Sequence, residues 1–195
     1  MADRLATIPD LMAMPGVPAD LPPTTAGLLL DAATALVQGI VGQRLVEVVD
    51  DEVTLYGSTD SLLRLPERPV TTITAVTYDG ADLAYGTSGG AWCTGPGGLW
   101  REHGWSAGAG CRPVPIVVIY THGYPDGDQH LELARTSALA LAKGPATNPS
   151  GITRMAIDDY QEAYEATSAA LEASTSLATA LRRQYGAKAG SVRLT

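Results

Sequence analysis

A chain of 195 residues with 13 Lys and Arg against 21 Asp and Glu carries a formal charge of −8, which excludes a surface that grips nucleic acid by releasing counterions. It does not exclude a protein past which DNA slides. Two cysteines, Cys93 and Cys111, are too few for a disulfide framework; no apolar run is expected to reach the roughly 18 residues of a membrane span, and the opening Met-Ala-Asp-Arg-Leu-Ala-Thr-Ile-Pro has no signal-peptide core, so the reading is a soluble, unsecreted protein with no membrane partner.

Prolines 9, 15, 18, 22 and 23 leave no room for a long regular element in residues 1–25, which are read as an extended N-terminal arm. Its simplest anchorage, and that of the C-terminal tail, is a neighbouring chain. Thr24 or Thr25 is then placed to cap a helix over about 26–41, with Leu28, Leu29, Leu36, Val37, Ile40 and Val41 as its apolar side and Gly42 beyond its end. From Leu45 the pattern changes to short β-rich runs divided by turn residues. Asp79-Gly80, between Thr-Tyr and Leu83-Ala-Tyr85, has the composition of a tight hairpin turn that needs positive φ. A Gly-rich stretch holding Trp92, Trp100 and Trp105 follows, with Leu99-Trp100-Arg101 as a short strand.

The stretch 113–143 organises the chain. Pro-Ile-Val-Val-Ile-Tyr is dense in β-branched residues and reads as a strand, stopped by Gly123 and Pro125. Asp126 or Asp128 caps the next helix, whose apolar positions Leu131, Ala134, Ala138, Leu141 and Ala142 follow helical spacing and which Gly144-Pro145 closes. Residues 152–165 fit neither period cleanly and read as extended, and a last helix starts at Ser174 or Thr175, runs through Leu177, Leu181 and Tyr185, and ends at Gly186. The fold class is therefore α+β: a small helical core, 26–165, with a β-structured insertion at about 45–120, an arm at 1–25, and a C-terminal helix and tail at 166–195.

Chemical motifs are sparse. The loop from Gly86 to Gly98 has neither the Gly-Lys-Ser/Thr ending of a phosphate loop nor the spacing of a dinucleotide fingerprint. His103, His122 and His130 lack zinc-ligand spacing, and Asp126-Gly127-Asp128 starts like a calcium loop but has Ser137 where the twelfth position needs Glu. No serine sits in a nucleophile elbow, and neither thiol has a histidine near it in sequence. The expectation is no enzyme, no cofactor and no metal. Three tryptophans in a chain without Phe are read as core filler, with an aromatic glycan- or peptide-binding module as an alternative.

The order of an N-terminal helix, the run Leu-Arg-Leu-Pro-Glu-Arg-Pro-Val-Thr at 63–71 leading to Tyr78-Asp79-Gly80, Gly-Leu-Trp-Arg at 98–101, Val-Ile-Tyr-Thr-His-Gly-Tyr at 118–124 and an Ala-rich helix resembles the head-to-tail adaptor, or connector, proteins of long-tailed bacteriophages, those of actinobacterial phages in particular. The resemblance covers roughly residues 20–186. It implies a virion structural protein, made in the host cytoplasm and built into the neck. There it would form a homo-oligomeric ring, usually twelve-fold, beneath the portal and above the stopper and tail, letting genome DNA pass without specific binding. Another neck or tail-completion (stopper) role is the nearest alternative.

The resemblance also implies that the C-terminal segment engages the portal protein. On that footing the candidate contact residues are Leu177, Leu181 and Tyr185 as apolar anchors, Arg182, Arg183, Lys188 and Arg193 as positive charge in an acidic chain, and Leu194. Such a patch would steer an acidic partner. The competing expectation is that the helix packs back on its own domain.

Overall fold

A computed structural model describes residues 4–106, 114–148, 154–157, 160–163 and 167–186, with side chains of the last segment described from Thr175. The chain is α+β and divides into two compact units, one formed by residues 1–43 with 128–195 and the other by residues 44–127.

The first unit is helical. Its central helix α2, Pro23–Val41, buries Ala26, Leu30, Ala33, Thr34, Val37 and Val41, a stripe recurring every three or four residues. The helix starts earlier than the threonines suggest: Pro22 occupies the N-cap and Pro23 the first turn, where a missing N–H costs nothing. With 19 residues and a mean hydropathy of 1.4, α2 is long and apolar enough to cross a membrane by length and composition, contrary to the expectation for this sequence. Its buried stripe nevertheless packs against α3 and α4 within the first unit, and Asp31 of the helix pairs with Arg4.

The arm is not extended, and described residues 4–17 include the short helix α1, Ile8–Met12. Leu5, Ala6 and Leu11 are buried. Arg4 donates from Nε and Nη2 to the two carboxylate oxygens of Asp31 on α2 at 2.6 and 2.9 Å, which holds the Asp31 carboxyl below its ordinary range. Leu5 N–H donates to Thr34 Oγ1 at 3.3 Å. These contacts fasten the arm to its own chain, so a neighbouring chain is not needed to order it.

Asp128 accepts from His130 N–H at 2.8 Å and caps a 3₁₀ turn, Gln129–Leu131, that leads into α3, Glu132–Thr147. The helix passes through Gly144-Pro145 instead of stopping there. A proline in the last turn forfeits one backbone bond, and bonding resumes with Asn148 N–H on Gly144 C=O at 3.0 Å. Ala134, Ser137, Ala138, Ala142 and Ala146 make its buried face, short enough to let α3 lie close against α2. After it come the strands β8, Arg154–Ile157, and β9, Tyr160–Ala163, paired antiparallel as a two-stranded sheet. The last helix α4, Thr167–Tyr185, begins about two turns before Ser174.

The second unit is β-rich. Its main sheet has the order β1-β7-β3-β4, from Val48–Tyr56, Pro115–His122, Val70–Tyr78 and Ala81–Asp82, all neighbours antiparallel. The Val/Ile-rich β7 lies between β1 and β3, and its Ile116, Val118 and Tyr120 point alternately into the core. A smaller sheet orders β2, Leu62–Arg64, then β6, Gly98–Trp100, then β5, Cys93–Gly95. Leu63, Leu65, Val76, Trp92, Leu99 and Trp105 complete the core with the β7 residues. Asp79 and Gly80 have φ of 47° and 82°, the left-handed pair of a two-residue hairpin turn.

Candidate functional site

The C-terminal helix presents less than its sequence promises. Leu181 and Tyr185 are buried within the first unit, so they cannot also serve as anchors for a partner. The Tyr185 hydroxyl donates to His130 C=O, and Gln43 Nε2 donates to Tyr185 C=O at 2.9 Å, which closes the end of α4 onto its own unit. Leu177 is half-buried, while Arg182 and Arg183 are exposed in the last turn, where positive charge suits the helix dipole. Lys188, Arg193 and Leu194 lie outside the described residues. Of the eight candidates, the structure therefore leaves Arg182 and Arg183 on open surface. Arg183 also lines a shallow groove with Leu133 of α3 and Ser176, Thr179, Ala180 and Gln184 of α4.

Two of the three tryptophans, Trp92 and Trp105, serve the core. Trp105 is fully buried with Nε1 donating to Ser61 C=O at 3.0 Å, and Trp92 is buried with Nε1 donating to Leu83 C=O at 3.2 Å. Trp100 is half-buried. Arg101 stands over the Tyr78 ring at 4.4 Å and donates to Gly90 C=O at 2.9 Å, pinning the Gly-rich loop. Trp92 and Trp105, being buried, present no face to a glycan.

His122 is wholly buried, with Nε2 at 3.1 Å from Asp51 Oδ2. Its ring lies 5.0 Å from that of Tyr120, whose hydroxyl burial pushes up to about 12. His103 and His130 are exposed and Cys93 is half-buried, whereas Cys111 lies outside the described residues. Among the described residues, no group of three His, Cys, Asp or Glu is placed to hold a metal ion.

One feature of the second unit has no counterpart in the sequence motifs. A slot of about 330 Å³ opens between residues 68–73, at the start of β3, and residues 94–98, at the β5–β6 turn. Arg68 lines it, and its Nε is buried with no hydrogen-bond partner among the described residues. Gly97, at φ 70°, lets the guanidinium lie flat against the turn; a Cβ there would stand 3.2 Å from Arg68 Cζ. Thr71, Thr72 and Thr94 also line it. Sequence reasoning passes over Arg68, because it sits in a Pro-flanked turn and its lack of a partner is a tertiary fact.

No protein-family profile and no curated protein matches the chain. In fold it is similar to a chain of a solved structure, the virion of a native gene transfer agent particle. The two share 17% sequence identity, the likeness covers 96% of this chain and 91% of the other, and the TM-score is 0.54. The helical unit with its β-rich partner is thus a fold that also occurs in a virion.

Proposed function

We propose that this chain is a non-enzymatic structural protein of a phage-like virion, and within it the head-to-tail adaptor. In this reading copies form a ring, twelve-fold by analogy with the adaptors it resembles, between the portal protein and the stopper or tail-completion protein in the neck. Genome DNA passes through the ring. The observation that carries the reading is the fold likeness, which extends over nearly the whole chain to a component of a virion particle. The acidic balance suits a channel whose lining must not hold DNA, an effect that screening confines to about 8 Å at physiological salt.

Contact with the portal is assigned to the end of α4, through exposed Arg182 and Arg183 and the tail that bears Lys188 and Arg193. Purified particles labelled with antibody to this chain test the assignment. Label at the junction of head and tail, together with rings seen for the isolated protein, is the expected result. Label along the tail tube or over the capsid faces would overturn the adaptor role.

A further inference from the structure

We propose that the outward face of α2 is a self-association surface, on which a second copy of this chain lays its own α2 antiparallel, across a two-fold axis at Ala32.

The helix has two sides. Ala26, Leu30, Ala33, Val37 and Val41 are covered by its own unit. The opposite side carries Leu28, Ala32, Ala35, Leu36 and Gly39, all exposed, with Leu28 and Leu36 70% and 58% accessible. A Cβ at Gly39 would meet none of the described residues within 4 Å, so this side is open. Single exposed leucines need no explanation, but two on one helix face that bears no charged group make a patch.

Charge selects the occupant. Asp31 is the one charged residue of α2, and Arg4 engages both its carboxylate oxygens at 2.6 and 2.9 Å. The face therefore offers no ion pair to a charged partner. A chain of formal charge −8 repels its own copies, and that repulsion acts over about 8 Å at physiological salt. Two copies meet at least cost where neither brings charge to the contact, as on this face.

The spacing of the side chains points the same way. Ala32 lies midway between Leu28 and Leu36, which stand about 6 Å to either side of it along the axis and flank it by equal angles on a helix of about 3.6 residues per turn. Turning a second helix end for end about Ala32 sets Leu28 of each copy level with Leu36 of the other. Ala32 and Ala35 between them leave room for the axes to approach to about 8 Å. Such a contact is isologous, the same patch serving on both copies. A single helix crossing lies below the roughly 1,200 Å² of a standard interface, so the pair is weak and reversible. It joins two copies and no more, and it is independent of the ring, which joins unlike patches.

The test is sedimentation of the full chain across the micromolar range. A monomer–dimer equilibrium is expected, with Leu28→Glu and Leu36→Glu together raising the dissociation constant about tenfold or more while circular dichroism is unchanged. A chain carrying Leu28→Lys with Leu36→Glu should pair again, because the antiparallel crossing sets the two new charges opposite each other. On a background of Cys93→Ser and Cys111→Ser, Ala32→Cys should give a disulfide-linked dimer on mild oxidation, since the two-fold axis brings that position against itself. A chain that stays monomeric, or a dimer that the paired Leu→Glu changes leave as tight as before, overturns the proposal. So does a dimer that Ala32→Cys fails to cross-link, since another patch would then lie opposite. Binding of a monomeric chain to phosphatidylcholine vesicles, lost with Leu28→Glu and Leu36→Glu, would put lipid on this face and overturn it as well.

Discussion

Replacing Asp10 by Ala probes how the arm is held, because one carboxylate oxygen carries most of the local bonding. Asp10 Oδ2 accepts from Thr7 N–H at 3.0 Å, from Thr7 Oγ1–H at 2.6 Å and from Arg135 Nη2 on α3 at 2.7 Å. Thr7 in turn accepts from Asp10 N–H at 3.3 Å, completing a capping box on a helix of five residues that has no stability of its own. These donors hold the Asp10 carboxyl down to about 2 from an ordinary 3.8, the Thr7 hydroxyl contributing most and Arg135 next. Taken at face value that shift is worth at most about 2.5 kcal/mol. The side chain is 32% exposed, and solvent screening reduces the figure to about 1 kcal/mol. The loss of a cap has a typical cost of the same size, about 1 kcal/mol.

The sign follows from the depressed carboxyl. Its stabilisation is complete above pH 3.8 and is lost as pH falls through about 2. Asp10→Ala should therefore lower local stability by about 1 kcal/mol at pH 7, roughly a fivefold rise in the open population, and the difference from the parent should vanish as pH falls from 4 towards 2. Amide exchange at Leu11, whose N–H donates to Thr7 C=O at 3.2 Å, reads this opening directly, and urea unfolding followed by circular dichroism checks the unit as a whole. A difference that stays constant from pH 7 to pH 2 would refute the reasoning, because the contribution would then not come from the ionised carboxylate.

Gly80→Val should lower the thermal midpoint through about 1 to 3 kcal/mol of backbone strain at φ 82°, with no steric part because none of the described residues lies within 4 Å of the new Cβ; Gly80→Asn should be far milder. Tyr120 should give the second unit an alkaline limb: its raised pKa means stability present below pH 10 and lost as pH rises towards about 12, and Tyr120→Phe should remove that fall in a fluorescence-monitored pH titration. Tyr185→Phe deletes the bond to His130 C=O and should cost about 1 kcal/mol, read as faster amide exchange in the last turn of α4 with the second unit unchanged.

Where local chemistry decides structure, the sequence was legible. The β7 run, the Asp79-Gly80 turn and the Asp128 cap all depend on residues within a few positions of one another. Helix ends were displaced because proline is harmless in a first turn, as at Pro23, and survivable in a last one, as at Pro145. The arm was misplaced for a different reason. Its anchors join Arg4 to Asp31 and Asp10 to Arg135, residues 27 and 125 positions apart, and nothing in either neighbourhood announces the other. The stripe Leu177, Leu181, Tyr185 was periodic as expected, but periodicity says only that one face of a helix is covered. It does not say whether the cover comes from the same chain or from a partner.

That distinction changes the chemistry available for assembly. With Leu181 and Tyr185 turned inward, α4 offers a partner mainly the exposed Arg182 and Arg183, and surface ion pairs of this kind contribute about 0 to 1 kcal/mol each. A single subunit held only by such contacts would dissociate readily. In a ring the same two arginines recur at every subunit, so after one subunit docks the others are presented at high effective concentration and weak contacts become a firm joint. If the chain works as the proposed adaptor, such a joint would require the ring to form first, through subunit contacts that hold independently of the portal.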